Sequence, residues 1–412
     1  MAPLIAVLAT LDTKSEEVLF LRREIDAAGG EVRVVDVGVG DSEQTGDLSA
    51  AEVAAAAGTT IEQVRRLPRD EAMTAMGHGA GVLLLRWHAR GDLDGVLAVG
   101  GNQGTAIASM AMRALPIGPA KLIVSTVASG NVRRYVGDSD IAMQFSVADL
   151  LGGPNRVTSV VLRKAAAGIV AMANVAESGA DGERSAIAVT AFGNTEQAVV
   201  AAMGELRNGG FDVIPFHASG ACGSAMERLI DEGQFHAVLD LTTHEVLGEL
   251  HPADIYAPVR PGRLGAAGRR GIAQVVVPGG LEYFCFGGVD EIPSRYRDRP
   301  THVHNRYNTN VRTTADELRQ VGHLIAERLN AATGPVAVLI PTRGWSQVGS
   351  PGGLLHDPDA NAALVEVLQQ QLRPGIDLRL IDATINDPTF AVAAARTLMA
   401  MATENDLAPP VS

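Results

Sequence analysis

The chain has 412 residues, of which 46% are hydrophobic and 4% aromatic, and this length exceeds what one ordinary hydrophobic core accommodates. Its formal net charge of −13 would repel a phosphate backbone, which argues against a nucleic-acid partner. The apolar stretch at the amino terminus is broken by Thr10 and Asp12 before it could act as a signal or membrane segment, so we expect a cytoplasmic protein without a membrane partner.

Short apolar runs predict buried strands along the whole chain, with helical patterns between most of them. In the first half these runs are Leu4–Ala9, Val32–Val37, Gly95–Val99 and Lys121–Val124. In the second half they are Ala186–Thr190, Asp212–Phe216, Ala237–Leu241, Ile272–Val277, Val336–Ile340 and Leu378–Ile381. This alternation predicts an α/β protein with two Rossmann-like domains, each with a mostly parallel, doubly wound sheet.

A polar, glycine-containing segment separates the two halves. Glu177–Arg184 lies between an apolar helix and an apolar strand, which is typical of a linker. We therefore expect a nucleotide-binding domain over residues 1–178 and a second α/β domain over residues 184–412.

The first predicted strand runs into Thr10-Leu11-Asp12-Thr13-Lys14 and then into a helix. A helix N-terminus offers free N–H groups and a positive dipole end, and Lys14 adds a charge, so phosphate is the expected ligand. The alternative is that Asp12 or Thr13 only caps the helix.

Two further glycine- and hydroxyl-rich turns follow predicted strands in the same half. They are Gly100-Gly101-Asn102-Gln103-Gly104-Thr105 and Ser125-Thr126-Val127-Ala128-Ser129-Gly130. Glycines allow close approach of the backbone to a ligand, although each turn alone is also compatible with a tight strand–helix connection. Loops that follow successive strands meet at one sheet edge, which favours a shared ligand site. Asp12, Asp138, Asp140 and Asp149 are candidate outer ligands of magnesium beside such a phosphate.

The second half has polar residues at its own strand ends. His217, Glu282 and Arg343 are the candidate catalytic residues, with His217 as a base and Arg343 as a clamp for the carboxylate of a small acidic metabolite. A packed or capping role is the alternative for each of them. His302 and His304 share a strand face without any zinc-binding helix motif, and Cys222 and Cys285 are predicted to be buried thiols.

The residues also resemble a known family, the Tm-one-like ATP-binding proteins, which includes bacterial proteins of uncharacterised function and the N-terminal half of the tomato mosaic virus resistance protein. The resemblance spans Leu4 to about Ala394 in ordered blocks such as TLDTK, STVASG, YVGDSDI, FHASGACGSAME, DLTTHE and QVVVPGGLEYFCFG. It implies a two-domain α/β protein whose N-terminal Rossmann-like domain binds ATP. The plant member of this family inhibits a viral replication protein.

Carried over by position, this resemblance implies nucleotide contacts at Thr10, Asp12, Thr13, Lys14, Gly100, Gly101, Gly104, Thr105, Ser125, Thr126, Ser129 and Gly130. The chain departs from the family pattern at Ser15, Asn102 and Gln103, where family members usually have a glycine or other small residues. Side chains at these positions would narrow the phosphate loop or add amide contacts.

These observations predict an ATP-binding protein of metabolic type that forms a homodimer or a higher homo-oligomer. One alternative is an ATP-dependent enzyme that acts on a small carboxylate or sugar acid in the second domain. The other is a non-catalytic protein-interaction module.

Overall fold

The computed structural model describes residues 2–175 and 185–406, and the chain divides into two compact units, Met1–Ala180 and Asp181–Ser412. The predicted linker Glu177–Arg184 lies outside the described residues.

Unit 1 is a five-stranded parallel sheet with helices on both faces. Its strands are β1 (Leu4–Ala9), β2 (Glu31–Asp36), β3 (Gly95–Gly100), β4 (Ala120–Ser125) and β5 (Ala142–Phe145), in the order β2-β1-β3-β4-β5. Its helices are α1 (Leu11–Ala27), α2 (Ala50–Ala56), α3 (Ile61–Val64), α4 (Arg69–Ala89), α5 (Asn102–Ala114), α6 (Arg133–Val136) and α7 (Thr158–Ala173).

Both faces of this sheet are buried because alternate residues of each strand belong to different cores. Ile5 and Val7 pack with apolar residues of α1 and α7. Ala6 and Leu8 pack with residues of α2, α4 and α5 on the other face. Strands covered on both faces become continuous apolar runs, which is why their sequence signal is strong.

Unit 2 contains a six-stranded parallel sheet in the order β14-β13-β9-β8-β6-β7. The strands are β6 (Ala186–Ala191), β7 (Asp212–His217), β8 (Ala237–Thr242), β9 (Ala273–Gly279), β13 (Val336–Pro341) and β14 (Asp377–Ile381). Its helices are α8 (Glu196–Asn208), α9 (Ala221–Asp231), α10 (His244–Leu250), α11 (Ala266–Arg270), α12 (Ala315–Asn330), α13 (Pro358–Gln371) and α14 (Pro388–Asp406).

A three-stranded antiparallel sheet is inserted after β9. It consists of β10 (Tyr283–Phe286), β11 (Thr301–Asn305) and β12 (Asn308–Arg312), in the order β10-β12-β11. The sequence pattern does not predict β5, β10 or β12, because these strands are short and lack a long apolar run.

The predicted fold class is confirmed: each unit has a parallel sheet between two helical layers, and all ten predicted strands are present. None of the helices in the described ranges combines the length and the apolar character needed to cross a membrane.

Candidate functional site

In unit 1, adjacent strands β1 and β3 send their following helices to opposite faces of the sheet. Helix α1 lies on the face shared with α7, and α5 lies on the face shared with α4. In open α/β sheets such a reversal creates the crevice beyond the carboxyl ends of the two strands in which ligands bind. The loops after β1 and β3 border this crevice, and the loop after β4 is their neighbour.

The turn after β1 is tight and its side chains lie at the surface. Thr13 and Lys14 both donate their backbone N–H to the carbonyl of Thr10, at 3.0 and 2.9 Å. The Thr10 and Thr13 hydroxyls lie 2.9 Å apart. Thr10 occupies the N-cap position without making a side-chain cap, and Lys14 interrupts the helical backbone with φ −128° and ψ 16°. The first helical N–H groups of α1 therefore have no side-chain acceptor from Thr10.

The turn after β3 is joined to the turn after β4 by a buried hydroxyl pair. Thr105 Oγ1 lies 2.6 Å from Ser125 Oγ and also donates to the carbonyl of Gly101 at 2.7 Å. The N-cap of α5 is Gly101, which has no side chain to cap the helix. A Cβ at Gly100 would lie 3.1 Å from Gly104 Cα, a tight contact, so glycine favours the close turn here.

The residues that depart from the family pattern are held by neighbours within unit 1. Asn102 Oδ1 accepts a hydrogen bond from the hydroxyl of Tyr135 at 2.5 Å, and Gln103 Oε1 accepts one from Arg69 at 2.7 Å. Both amide oxygens are therefore occupied by protein donors. Tyr135 and Arg69 are contacts that sequence reasoning missed, because both lie far away in the chain.

The four candidate magnesium carboxylates occupy different environments. Asp12 accepts the backbone N–H of Gly40 at 3.0 Å, and Asp149 accepts that of Leu150 at 2.8 Å. Asp140 forms a 2.5 Å ion pair with buried Lys121. Asp138 is buried. Asp12 is the one that belongs to the turn after β1.

Asp36, at the end of β2, is a carboxylate beside this turn that sequence reasoning missed. Its Oδ1 accepts the backbone N–H groups of Leu11 and Gly38, at 3.1 and 2.9 Å. Burial raises the pKa of Asp36, and these two hydrogen bonds oppose that rise. Asp36 therefore holds the turn after β1 against the loop after β2.

Unit 2 has a reversal of the same kind between β6 and β8. Helix α8, after β6, packs on the face shared with α14, whereas α9 and α10 pack on the other face. A pocket of about 110 Å³ lies beside the loop that follows β6. Its lining consists of aromatic and amide side chains with two histidines: Phe192, Gly193, Asn194, His217, Tyr256, His304, Asn308 and Asn310.

His217, one of the predicted catalytic residues, lines this pocket. Its ring centroid is 5.3 Å from that of Phe192. Partial burial lowers the pKa of His217, with Glu245 opposing and His244 adding to this shift. The neutral imidazole is the form that can accept a proton near neutral pH.

Glu282 and Arg343 are not among the residues that line the pocket. Glu282 is fully buried, and its carboxylate accepts hydrogen bonds from the Ser346 hydroxyl, from Trp345 N at 3.3 Å and from Asn361 Nδ2 at 3.3 Å. Burial raises the pKa of this carboxyl, and the Ser346 hydrogen bond and Arg312 counteract the rise. Arg343 is exposed. Of the three predicted catalytic residues, His217 therefore lines this pocket, whereas Glu282 is buried and Arg343 is exposed.

The structure brings together three other groups behind the pocket: His244, Asp254 and Cys285, all of them buried. His244 Nε2 lies 3.1 Å from Asp254 Oδ2. Burial disfavours the charged ring, but the Asp254 carboxylate and Cys285 raise the pKa of His244 well above its usual value. The sequence places these residues in three separate segments, so no local spacing identifies them. Cys285 is buried as predicted, whereas the prediction for Cys222 is wrong because that thiol is exposed at the start of α9.

Comparison with known proteins shows relatives over the whole chain. The model for the N-terminal domain of the uncharacterised protein family UPF0261 matches residues 3–178, and the model for its C-terminal domain matches residues 184–402. A UPF0261 protein of Clostridium tetani is 38% identical and covers 96% of this chain and 98% of its own length. A Rhizobium meliloti UPF0261 protein is 40% identical, over 95% of this chain and 97% of its own length.

A plant protein is also similar. The ToMV susceptible protein tm-1 of Solanum lycopersicum is 31% identical over 97% of this chain and 56% of its own length. Among solved structures, Acinetobacter baumannii MurG covers 96% of this chain and 100% of its own at a TM-score of 0.23 and 12% identity, a similarity too weak to bear on function.

Proposed function

The chain belongs to the UPF0261 family. We propose that this protein binds a nucleoside phosphate, with ATP as the first candidate, in the crevice between β1 and β3 of unit 1. The observation that carries the proposal is the position of the three glycine- and hydroxyl-rich loops. They follow β1, β3 and β4, which are consecutive parallel neighbours in the sheet, and the helices that follow β1 and β3 lie on opposite faces. Ligands of doubly wound sheets occupy this crevice.

The donors at this edge suit a polyphosphate. Helix α5 is 13 residues long and begins at Gly101, which has no side chain to cap it. Its first N–H groups and its dipole favour an anion. In α1 the Leu11 N–H is accepted by Asp36, and those of Thr13 and Lys14 are accepted by the Thr10 carbonyl, so this side of the site contributes hydroxyls and Lys14 instead. The α2 helix of the same unit, by contrast, begins with a complete capping box between Ser49 and Glu52. The uncapped start of α5 therefore leaves donors for a ligand.

Lys14 supplies the mobile positive charge. The chain has three lysines. Lys121 is buried in its ion pair with Asp140, and Lys164 is exposed on α7, outside all three loops. Lys14 is half-buried in the turn after β1, where, among the residues that the structure describes, its ammonium group contacts the carbonyl of Thr13, at 3.3 Å. Since a backbone carbonyl does not neutralise a charge, this ammonium group suits a phosphate oxygen.

Titration calorimetry of the full chain with ATP, ADP and AMP, with and without Mg²⁺, tests this proposal. We expect Lys14→Ala to weaken ATP binding by about 1 to 3 kcal/mol, because it removes a charge-assisted contact. That range corresponds to roughly a 5- to 150-fold loss of affinity. Lys164→Ala is the matched control and should bind as the wild type does. Absence of nucleotide binding by the wild type, or equal affinity in both variants, would contradict the assignment.

A second candidate function is an enzyme acting on a small acid in unit 2. It is favoured by the pocket beside His217, which lies at the equivalent sheet reversal and is lined by the amide side chains of Asn194, Asn308 and Asn310. Turnover of ATP only when a particular acid from a metabolite panel is added would support it. His217→Ala should then abolish turnover while ATP binding in unit 1 persists. Binding of ATP without turnover across the panel would instead favour an interaction protein.

A further inference from the structure

The buried cluster of His244, Asp254 and Cys285 carries an inference that is independent of nucleotide binding. Their donor atoms, an imidazole nitrogen, a carboxylate oxygen and a thiol sulfur, all lie within 4.8 Å of one another. We propose that these three side chains bind one zinc-class transition-metal ion and that its fourth coordination position opens to the pocket lined by His217 and Asn310.

The hydrogen bond at Nδ1 of His244 leaves Nε2 as the nitrogen that can bind a metal ion. Nδ1 lies 2.7 Å from the carbonyl oxygen of Gly280, which can only accept, so Nδ1 carries a hydrogen. Metal-binding histidines commonly donate their second N–H to a backbone carbonyl in this way. Nε2 then faces the Asp254 carboxylate at 3.1 Å. Two lone pairs at this distance repel each other unless a proton or a metal cation lies between them.

The spacing and charge of the group fit a metal ion. Ligand atoms about 2.0 to 2.3 Å from a tetrahedral zinc ion lie roughly 3.4 Å from one another, close to the separation of His244 Nε2 and Asp254 Oδ2. Aspartate and a thiolate together carry two negative charges, which a divalent ion neutralises. A buried site without net charge avoids the large cost of desolvating an unpaired ion.

Each ligand has outer contacts that fix its orientation. Asp254 accepts the backbone N–H of Cys285 at 2.7 Å and that of Tyr256 at 2.8 Å. The Cys285 sulfur accepts a hydrogen bond from Asn310 Nδ2 at 3.1 Å. Such contacts are typical of the protein shell around a metal site.

A protonated His244 paired with Asp254 is one competing explanation for these residues, and cobalt titration distinguishes it from a metal site. A nucleophilic cysteine is the other. In a cysteine–histidine–carboxylate triad, the carboxylate holds one imidazole nitrogen while the thiol meets the other. Here a backbone carbonyl holds Nδ1, and Nε2 faces the carboxylate. This arrangement lacks the triad order, and its three donor atoms lie within 4.8 Å of one another, close enough to share one metal ion.

Asn310 connects the cluster to the pocket. It is 2% exposed, lines the pocket and binds the Cys285 sulfur through Nδ2, while its Oδ1 has no hydrogen-bond partner among the described residues. The rings of Phe192 and Tyr256, which also line the pocket, pack 5.2 and 6.2 Å from the His244 ring. A water or hydroxyl group on the metal would supply the donor that Asn310 Oδ1 requires.

The donor set indicates the kind of metal and its role. A thiolate favours zinc and similar ions over magnesium or calcium, and three protein ligands with one open position are typical of catalytic rather than structural zinc. A metal with this coordination polarises a carbonyl or lowers the pKa of bound water. The ligand class for the pocket is therefore a small molecule with an oxygen that can bind the metal.

The test uses the full, tag-free chain, stripped of metal by a chelator and titrated with Co²⁺. We expect one equivalent to produce visible d–d bands and a near-ultraviolet thiolate-to-cobalt band. Cys285→Ser should abolish the near-ultraviolet band, and Asp254→Asn should weaken cobalt binding at least tenfold. Cys222→Ser, which changes the chain's other cysteine, should leave spectrum and affinity unchanged. No thiolate band in the wild type, or its loss in Cys222→Ser alone, would overturn the proposal.

A second measurement keeps the proposal testable if Cys285→Ser does not fold. X-ray absorption of the zinc-loaded wild type should show one sulfur at about 2.3 Å and two or three nitrogen or oxygen atoms at about 2.0 to 2.2 Å. A shell of nitrogen and oxygen alone would refute ligation by Cys285.

Discussion

The hydroxyls of Thr105 and Ser125 lie 2.6 Å apart and join the loops after two neighbouring strands of unit 1. Both residues are buried, so replacing Thr105 by valine leaves the Ser125 hydroxyl without its acceptor and the Gly101 carbonyl without its side-chain donor. We expect Thr105→Val to lower the free energy of unfolding by about 1 to 3 kcal/mol and to weaken nucleotide binding. Thr105→Ser keeps the hydroxyl and should restore binding. Denaturant titration measures the change in stability, and calorimetry measures the change in nucleotide affinity. Equal nucleotide affinity of the valine and serine variants would argue against a role of the Thr105–Ser125 hydrogen bond in the site.

A substitution at Gly101 can test ligand binding without disturbing the fold. A Cβ at this position would meet only Thr126 Oγ1, at an ordinary 3.6 Å, and its backbone conformation is accessible to alanine. We expect Gly101→Ala to unfold at the wild-type denaturant midpoint but to bind nucleotide at least several-fold more weakly, because the added methyl group limits close approach of a phosphate. Gly168→Ala, on α7 with open space around it, is the control. Wild-type affinity of Gly101→Ala would remove Gly101 from the phosphate site.

Arg263 is the centre of a buried ion-pair network in unit 2. Its fully buried guanidinium contacts Asp240, Glu245 and Glu227 at 2.7, 2.6 and 2.5 Å. Removing it leaves carboxylates buried without their counter-ion, so Arg263→Ala should cost about 3 to 5 kcal/mol of unfolding free energy. Arg269→Ala breaks the exposed pair with Asp231 and should cost about 0 to 1 kcal/mol. Chemical denaturation of both variants checks this; similar costs would show that the buried network is not the stronger contributor.

Glu317 makes part of the stability of unit 2 dependent on pH. Burial alone would raise its pKa, but paired hydrogen bonds from Arg299, at 2.7 and 3.1 Å, and the Thr314 N–H hold the pKa below its usual value. The stabilisation is therefore complete above the unfolded-state pKa, about 4.3, and disappears as pH falls through the lower folded-state pKa.

We accordingly expect Glu317→Gln to be less stable than the wild type at pH 7 by about 1 to 2 kcal/mol. The two unfolding free energies should converge as the pH is lowered below about 4. Asp316→Asn, on the exposed side of the same helix turn, should follow the wild type across this range. A difference between Glu317→Gln and wild type that does not shrink in acid would contradict the role of the Glu317 charge.

The sequence predicts those parts of the molecule that have a local signal. Apolar runs such as Leu4–Ala9 indicate buried strands, and the loop that follows each run is then placed by necessity at a sheet edge. Strand order does not follow from such runs, because pairing of β1 with β3 joins segments that are distant in the chain.

The sequence does not predict where side chains point or which residues meet across long distances in the chain. Glu282 follows a conspicuous glycine turn, yet it points into a buried hydrogen-bond cluster with Ser346. His244 begins α10, Asp254 lies in the loop beyond α10, and Cys285 lies in β10. These three residues are close together only in the folded structure. Their convergence is a property of tertiary structure, so a reading of spacing along the chain could not find it.

The inserted antiparallel sheet narrows the pocket of unit 2, so we expect this pocket to select its ligands by size. Strand β12 contributes Asn308 and Asn310 to the wall, and β11 contributes His304, so that the space beside Phe192 is only about 110 Å³. Pockets that enclose drug-sized ligands measure roughly 300 to 1,000 Å³. A molecule of a few heavy atoms suits a space of this size better than a whole nucleotide does, so we expect any compound held there to resemble a metabolic fragment.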